Sequence, residues 1–169
     1  MTHTTPSVKQ PAIPQPRFGA VDWPWTALDL AWLHFLKSHQ PSSEALHDIL
    51  ALLVSYQMGR GHACLDLDVL WHAPAHLLAW SDPQIKALTS LVKANSSTLP
   101  PADLLAPEIN PWAEAAMTLP WAQGEHSPLV IETNAVSAVV RIYLRRAWQA
   151  EQTIAPVSYT HLTLPTNRE

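Results

Sequence analysis

Six side chains able to bind a metal or attack a carbonyl fall within fifteen residues: His62, Cys64, Asp66 and Asp68 at alternate positions, then His72 and His76. A thiolate, imidazoles and carboxylates are all zinc ligands, held about 2.0–2.3 Å from the ion. In an extended strand His62, Cys64 and Asp66 share one face but stand about 6–7 Å apart along it, so neighbours converge poorly on one ion. His72 and His76 have helical spacing, yet Pro74 lies between them and breaks a regular helix. A nucleophilic pair of Cys64 and His62 lacks a third orienting group and an oxyanion donor. These residues therefore read as a buried small thiol at Cys64, a hydrogen-bonded His62, and aspartates that cap a helix or solvate a turn. No catalytic, cofactor-binding or metal-ligating residue is assigned. A free-standing helical protein that binds a metal or small molecule through His62, Cys64, His72 and His76 is the alternative reading.

Phosphate chemistry meets a similar obstacle. The 169 residues contain four glycines, Gly19, Gly59, Gly61 and Gly124. A phosphate-cradling loop has room only at 59–61, and Cys64 stands where the third glycine of G-x-G-x-x-G belongs. The net charge is −4, the pI about 6.1, and only 14% of residues are charged, against a usual figure of about 25%. Autonomous binding to a phosphate backbone wants a basic surface, which this composition lacks. Stacking of single-stranded DNA on aromatics is a third reading, without the basic groove that accompanies it.

The aromatic content points elsewhere. There are eight tryptophans, at 23, 25, 32, 71, 80, 112, 121 and 148. Tryptophan is enriched at interaction hot spots, and few charges with many indoles predict a large protein–protein interface. Trp23-Pro24-Trp25 lies outside any periodic helix, so Trp23 and Trp25 are the candidate partner surface, whereas Trp32 falls on an apolar stripe and reads as core.

The elements that must position these residues are mostly helical. Leu28, Ala31, Trp32, Phe35 and Leu36 form one stripe of a helix over about 26–38. Leu46, Ile49, Leu50, Leu53 and Val54 form a second, with Ser42 or Ser43 as N-cap and Gly59 as a left-handed stop. A short Gln40-Pro41 turn makes the two an antiparallel hairpin. After Gly61 the period shortens to two, giving a short strand that runs into a helical turn. Ser81-Asp82-Pro83-Gln84 is a capping-box helix start, continued by Ile85, Leu88, Leu91 and Val92. Residues 97–111, with four prolines, read as an irregular connection. Trp112, Ala115, Ala116 and Leu119 predict one more helix. Residues 128–131 and 139–144 predict a β-hairpin, and Arg145 to Ala155 a final amphipathic segment. The fold class is mainly α with a small β part (α+β).

Two segments resemble one family. Ala51-Leu-Leu-Val-Ser-Tyr-Gln-Met-Gly-Arg-Gly-His-Ala-Cys-Leu-Asp-Leu67 is similar to the helix-then-strand signature of RecD, the alpha subunit of exodeoxyribonuclease V (the RecBCD complex). Its motif positions here are Gly59, Gly61, His62, Cys64, Leu65 and Leu67. Ser127-Pro-Leu-Val-Ile131, with Tyr143, Leu144, Arg146, Trp148 and Glu151, is similar to the hairpin and helix that precede the family's motor domain. The resemblance covers about residues 25–155. It departs at Glu132-Thr-Asn-Ala-Val-Ser137, longer than the family's tight Gly-Asp turn and without glycine.

Residues 1–17, with Pro6, Pro11, Pro14 and Pro16 and little to bury, read as a flexible proline-rich arm, and the resemblance implies that 18–155 is a subunit-docking domain. It implies a parent that is an ATP- and Mg²⁺-dependent 5′→3′ DNA helicase subunit, partnered by RecC and RecB in double-strand-break repair. The P-loop and the RecA-like motor would follow residue 155, so this fragment is expected to be catalytically inactive and to reach DNA only through the complex. Pro156 to Glu169 break the helical pattern and resemble a translated adapter read-through, a non-native tail. One cysteine, an apolar run no longer than Ile49–Val54 and no cationic leader imply a soluble cytoplasmic protein without a membrane partner.

Overall fold

The computed structural model describes residues 21–96, 110–134 and 139–154. The arm 1–17, most of the 97–111 connection and the tail 156–169 lie outside the described residues. Helix α1 (Ala27–His39) and helix α2 (Ala45–Gly59) pack together as the expected hairpin. Strand β1 (Cys64–Asp66) leads directly into two short helices, α3 (Leu67–His72) and α4 (Pro74–Leu78). Helix α5 (Asp82–Asn95) follows, then α6 (Pro111–Met117) and a 3₁₀ turn at Pro120–Ala122. Strands β2 (Leu129–Thr133) and β3 (Val140–Leu144) form the expected hairpin, and helix α7 (Arg145–Ile154) leaves β3 without a break. The fold is mainly α with one small antiparallel sheet, ordered β1-β3-β2. No described helix is long and apolar enough to cross a membrane.

Helix α2 is the axis. Its residues Ile49 to Ser55 are all buried, because α1, α5, α6, β1 and β3 surround it. A helix apolar on every side is stable only when enclosed in this way. The sheet closes one end of the core with Leu65, Leu129 and Ile142, all fully buried. Leu65 and Ile142 are register partners across β1 and β3.

Helix ends follow local chemistry, with two corrections. The Ser81–Gln84 capping box is present, and Gln84 also ties down the Asp22 carbonyl at 2.8 Å. Helix α2 is capped by neither serine hydroxyl: Glu44 is its N-cap, while Ser42 Oγ bonds His47 Nδ1 at 2.8 Å. Its left-handed stop also falls two residues later than expected. Gly59 is still helical, and Gly61 takes the left-handed conformation at φ 86°. Gly61 N–H donates to the Met58 carbonyl and His62 N–H to that of Gln57, each at 3.0 Å, which is the Schellman pattern. A Cβ added at Gly61 would touch nothing within 4 Å, so the cost of Gly61→Ala is purely conformational. Thermal denaturation should show a loss of about 1 kcal/mol, and Gly59→Ala should cost nothing.

The largest correction concerns α1. Its buried face is Asp29, Leu30, Leu33 and Leu36. Of the expected stripe only Leu36 is buried. Leu28 is 72% and Phe35 47% exposed, Ala31 is exposed, and Trp32 is half-buried. The reason is the cap. Thr26 Oγ1 and N–H both donate to Asp29 Oδ2 at 2.8 Å, and Ser55 Oγ donates to Oδ1 at 2.5 Å. Asp29 is thereby drawn against α2, and the helix is rotated so that Leu28 and Phe35 face outward.

Candidate functional site

The residues of the first motif build the passage from α2 into the sheet. Gly61 closes the helix, Leu65 and Leu67 are fully buried, and His62 is exposed. Asp66 is the N-cap of α3: its Oδ1 accepts from the Asp68 and Val69 N–H groups at 3.1 Å. Its Oδ2 receives Arg141 Nε at 3.1 Å, and that carboxylate raises the pKa of the guanidinium. The second motif lies on the other side of the same joint. Tyr143 is buried, Leu144 and Trp148 are half-buried, and Arg146 and Glu151 are exposed. Cys64 and Tyr143 are register partners across β1 and β3. Two motifs nearly eighty positions apart thus meet as one antiparallel ladder.

That geometry sets the chemistry of Cys64. Burial raises the thiol pKa, opposed by the hydrogen bond with Tyr143 and the charge of Arg141. Tyr143 is in turn pushed well above the usual phenol range, first by burial and then by its hydrogen bond with Glu132. Both groups keep their protons at neutral pH, so Cys64 is a poor nucleophile. The groups acting on it are Tyr143, Arg141, Glu151 and Asp66, not His62.

Among the described residues no three His, Cys, Asp or Glu side chains converge on one point. His72 pairs with Asp68 at 3.5 Å one turn away on α3, and His76 is exposed. The N–H groups of Gly61 and His62 are already bonded to α2 carbonyls and so are not free to receive a phosphate.

The tryptophan pair is a different matter from what its spacing suggests. Trp25 is only 8% exposed. It stacks on Trp23 at 5.9 Å between ring centroids and sits edge-on to Trp80 at 5.1 Å and Tyr56 at 6.2 Å. Trp23 is half-buried and also meets Trp80 edge-on at 5.8 Å. These rings pin the segment before α1 onto α2 and the start of α5. Trp25 is therefore core rather than partner surface: with no helix to hold it outward, the segment folds its indoles into the nearest apolar cleft.

Exposed apolar surface lies instead on α1, at Leu28 and Phe35, with Trp32 half-buried between them. Leu28, Trp32 and Phe35 run along one side, with Trp32 stacked on Phe35 at 5.8 Å and Phe35 against His39 at 4.4 Å. Beside Leu28 and Trp32 opens a groove of about 480 Å³, walled further by Met58, Pro128, Leu144 and Arg146. Periodicity alone assigned this row to the core. The signal that corrects it is Asp29 three residues after Thr26, a capping box whose acid must turn inward once Ser55 is its partner. Arg145 shapes the groove floor: its guanidinium donates to the Ser127 carbonyl and to Ser127 Oγ, holding the loop before β2 against the start of α7.

Comparison with known proteins bears on this arrangement. The profile of the family described as "RecBCD enzyme subunit RecD, N-terminal domain" matches residues 24–136, from the tryptophan segment to the hairpin turn. No curated protein and no solved structure matches the chain. The family match takes in more than half of the sequence, including α1, α2 and the whole first motif, and the chain belongs to the RecD N-terminal domain family.

Proposed function

We propose that this domain is a subunit-docking module, seated on RecC within an assembly that also contains RecB. In this reading the parent is an ATP- and Mg²⁺-dependent 5′→3′ helicase subunit of recombinational repair in the cytoplasm. The domain itself holds no nucleotide and meets DNA only through the complex. The observation that carries the reading is the exposed apolar row on α1, with Leu28 at 72% and Phe35 at 47% exposure, in a family that belongs to a multisubunit enzyme. Apolar rows of this kind are covered in the assemblies that contain them. The low charge of the chain fits a protein partner better than a phosphate backbone.

The test is co-expression of the chain with RecB and RecC, followed by gel filtration. Co-elution in stoichiometric amounts is expected, together with no ATP hydrolysis by the chain alone. Absence of association at micromolar concentrations of well-folded chain would overturn the docking role.

A further inference from the structure

The groove between α1 and the start of α7 carries a pattern more specific than an apolar patch. Its walls are apolar at Leu28, Trp32, Met58, Pro128 and Leu144. Its two cations differ in state. Arg145 is held in place through its Nε and Nη2, which donate to the Ser127 and Gly124 carbonyls and to Ser127 Oγ. Arg146 is exposed and makes no hydrogen bond or ion pair among the described residues. The indole N–H of Trp32 is buried and turned away from any occupant, so Trp32 contributes its apolar ring alone. Ser55 Oγ, the one hydroxyl on the wall, is spent on Asp29. The groove therefore presents apolar surface with one exposed cation, Arg146, at its rim, and no acidic side chain lines it among the described residues.

We propose that this groove receives a short segment of the partner subunits in which an apolar side chain is accompanied by a carboxylate. The apolar group lies on Leu28, Trp32 and Leu144, and the carboxylate meets Arg146 at the rim. Phe35 extends the contact along α1. Leu28, Trp32 and Phe35 recur at i, i+4 and i+7 and span about 10 Å of helix, the spacing with which one helix grips another. The volume, about 480 Å³, suits a few side chains rather than a folded lobe. A charge-neutral apolar segment would gain nothing from the hydrated Arg146, and a basic one would be repelled by it. This inference rests on the docking reading and names the face and the chemistry of its occupant.

The experiment measures affinity of the full chain for purified RecBC complex lacking its own RecD, by titration calorimetry in low and high salt. Leu28→Ser and Arg146→Glu alter exposed side chains and leave the core intact. Each is expected to weaken binding about tenfold or more. The Arg146→Glu loss should shrink in 1 M salt, where the Debye length is about 3 Å, while the Leu28→Ser loss persists. Met117→Ser, an exposed apolar residue outside the groove, should bind as the parent does. If the parent chain binds and both groove variants match it, the groove is not the docking face, although docking itself stands. If the parent chain does not bind at all, the docking reading fails and this inference with it. Self-association of the chain that Leu28→Ser abolishes would assign the groove to a second copy and overturn the proposal.

Discussion

Replacing Trp121 by alanine is expected to destabilise the domain by about 4 kcal/mol. Trp121 sits in the 3₁₀ turn, 2% exposed, and its indole Nε1 donates to the Gln40 carbonyl at 2.7 Å. Gln40 is the C-cap of α1, and its own N–H closes on Leu36. The ring also lies edge-on to His47 at 6.5 Å. One side chain thus joins the α1–α2 turn to the connection that feeds the sheet. Truncation removes the buried indole, leaves a cavity that rigid neighbours cannot fill, and strips the Gln40 carbonyl of its donor. With total stability of about 5–15 kcal/mol for a domain of this class, the melting temperature should fall by about 15 °C. Trp121→Phe separates the two effects. It retains most of the apolar area and loses the hydrogen bond, so a loss of about 1–2 kcal/mol is expected. Equal losses for the two variants in chemical denaturation would show that the hydrogen bond, not the packing, dominates.

Asp29→Ala is expected to cost about 3 kcal/mol. The carboxylate is 3% exposed, and it accepts from Thr26 N–H, Thr26 Oγ1 and Ser55 Oγ. Thr26 remains the N-cap of α1, so loss of the Asp29 half of the capping box costs at most about 1 kcal/mol. Leaving the buried Ser55 hydroxyl without its acceptor adds about 1–3 kcal/mol. Ser55→Ala alone removes the orphan along with the bond, so the double variant Asp29→Ala/Ser55→Ala should be less damaged than the sum of the singles. Strict additivity in urea denaturation would mean that Asp29 acts through the cap alone. The same variant probes the docking face, because Asp29 sets the rotation of α1. If α1 loosens, Leu28 and Phe35 lose their fixed outward position, and affinity for RecBC should fall together with stability.

Helix positions were legible because period and caps are local. The α1 and α5 boundaries, the Ser81–Gln84 box, the helix at Trp112 and the β2–β3 hairpin all follow from residues within one or two turns of each other. The role of Asp66 as a cap rather than a catalytic acid was equally local, since its partners are the next N–H groups in the chain. What spacing could not say is which apolar side of α1 faces inward. Leu28, Ala31, Trp32 and Phe35 make one stripe and Leu30, Leu33 and Leu36 another, and both satisfy a helical period. The choice is made by Ser55, twenty-six positions away, through a hydrogen bond that draws Asp29 inward. Trp25 escaped for the same reason: its neighbours Tyr56 and Trp80 are distant in sequence.

The sequence by itself therefore determined the element types and the family, since these depend on residue identity and short-range order. Tertiary structure alone decided the rest. It placed Cys64 in the β1–β3 ladder, where burial raises the thiol pKa against the opposing hydrogen bond of Tyr143. It also buried Trp25 and turned Leu28 and Phe35 outward, with Trp32 half-buried between them. Burial and partnership arise from contacts across long stretches of chain, and a periodic pattern carries no record of which contacts those are.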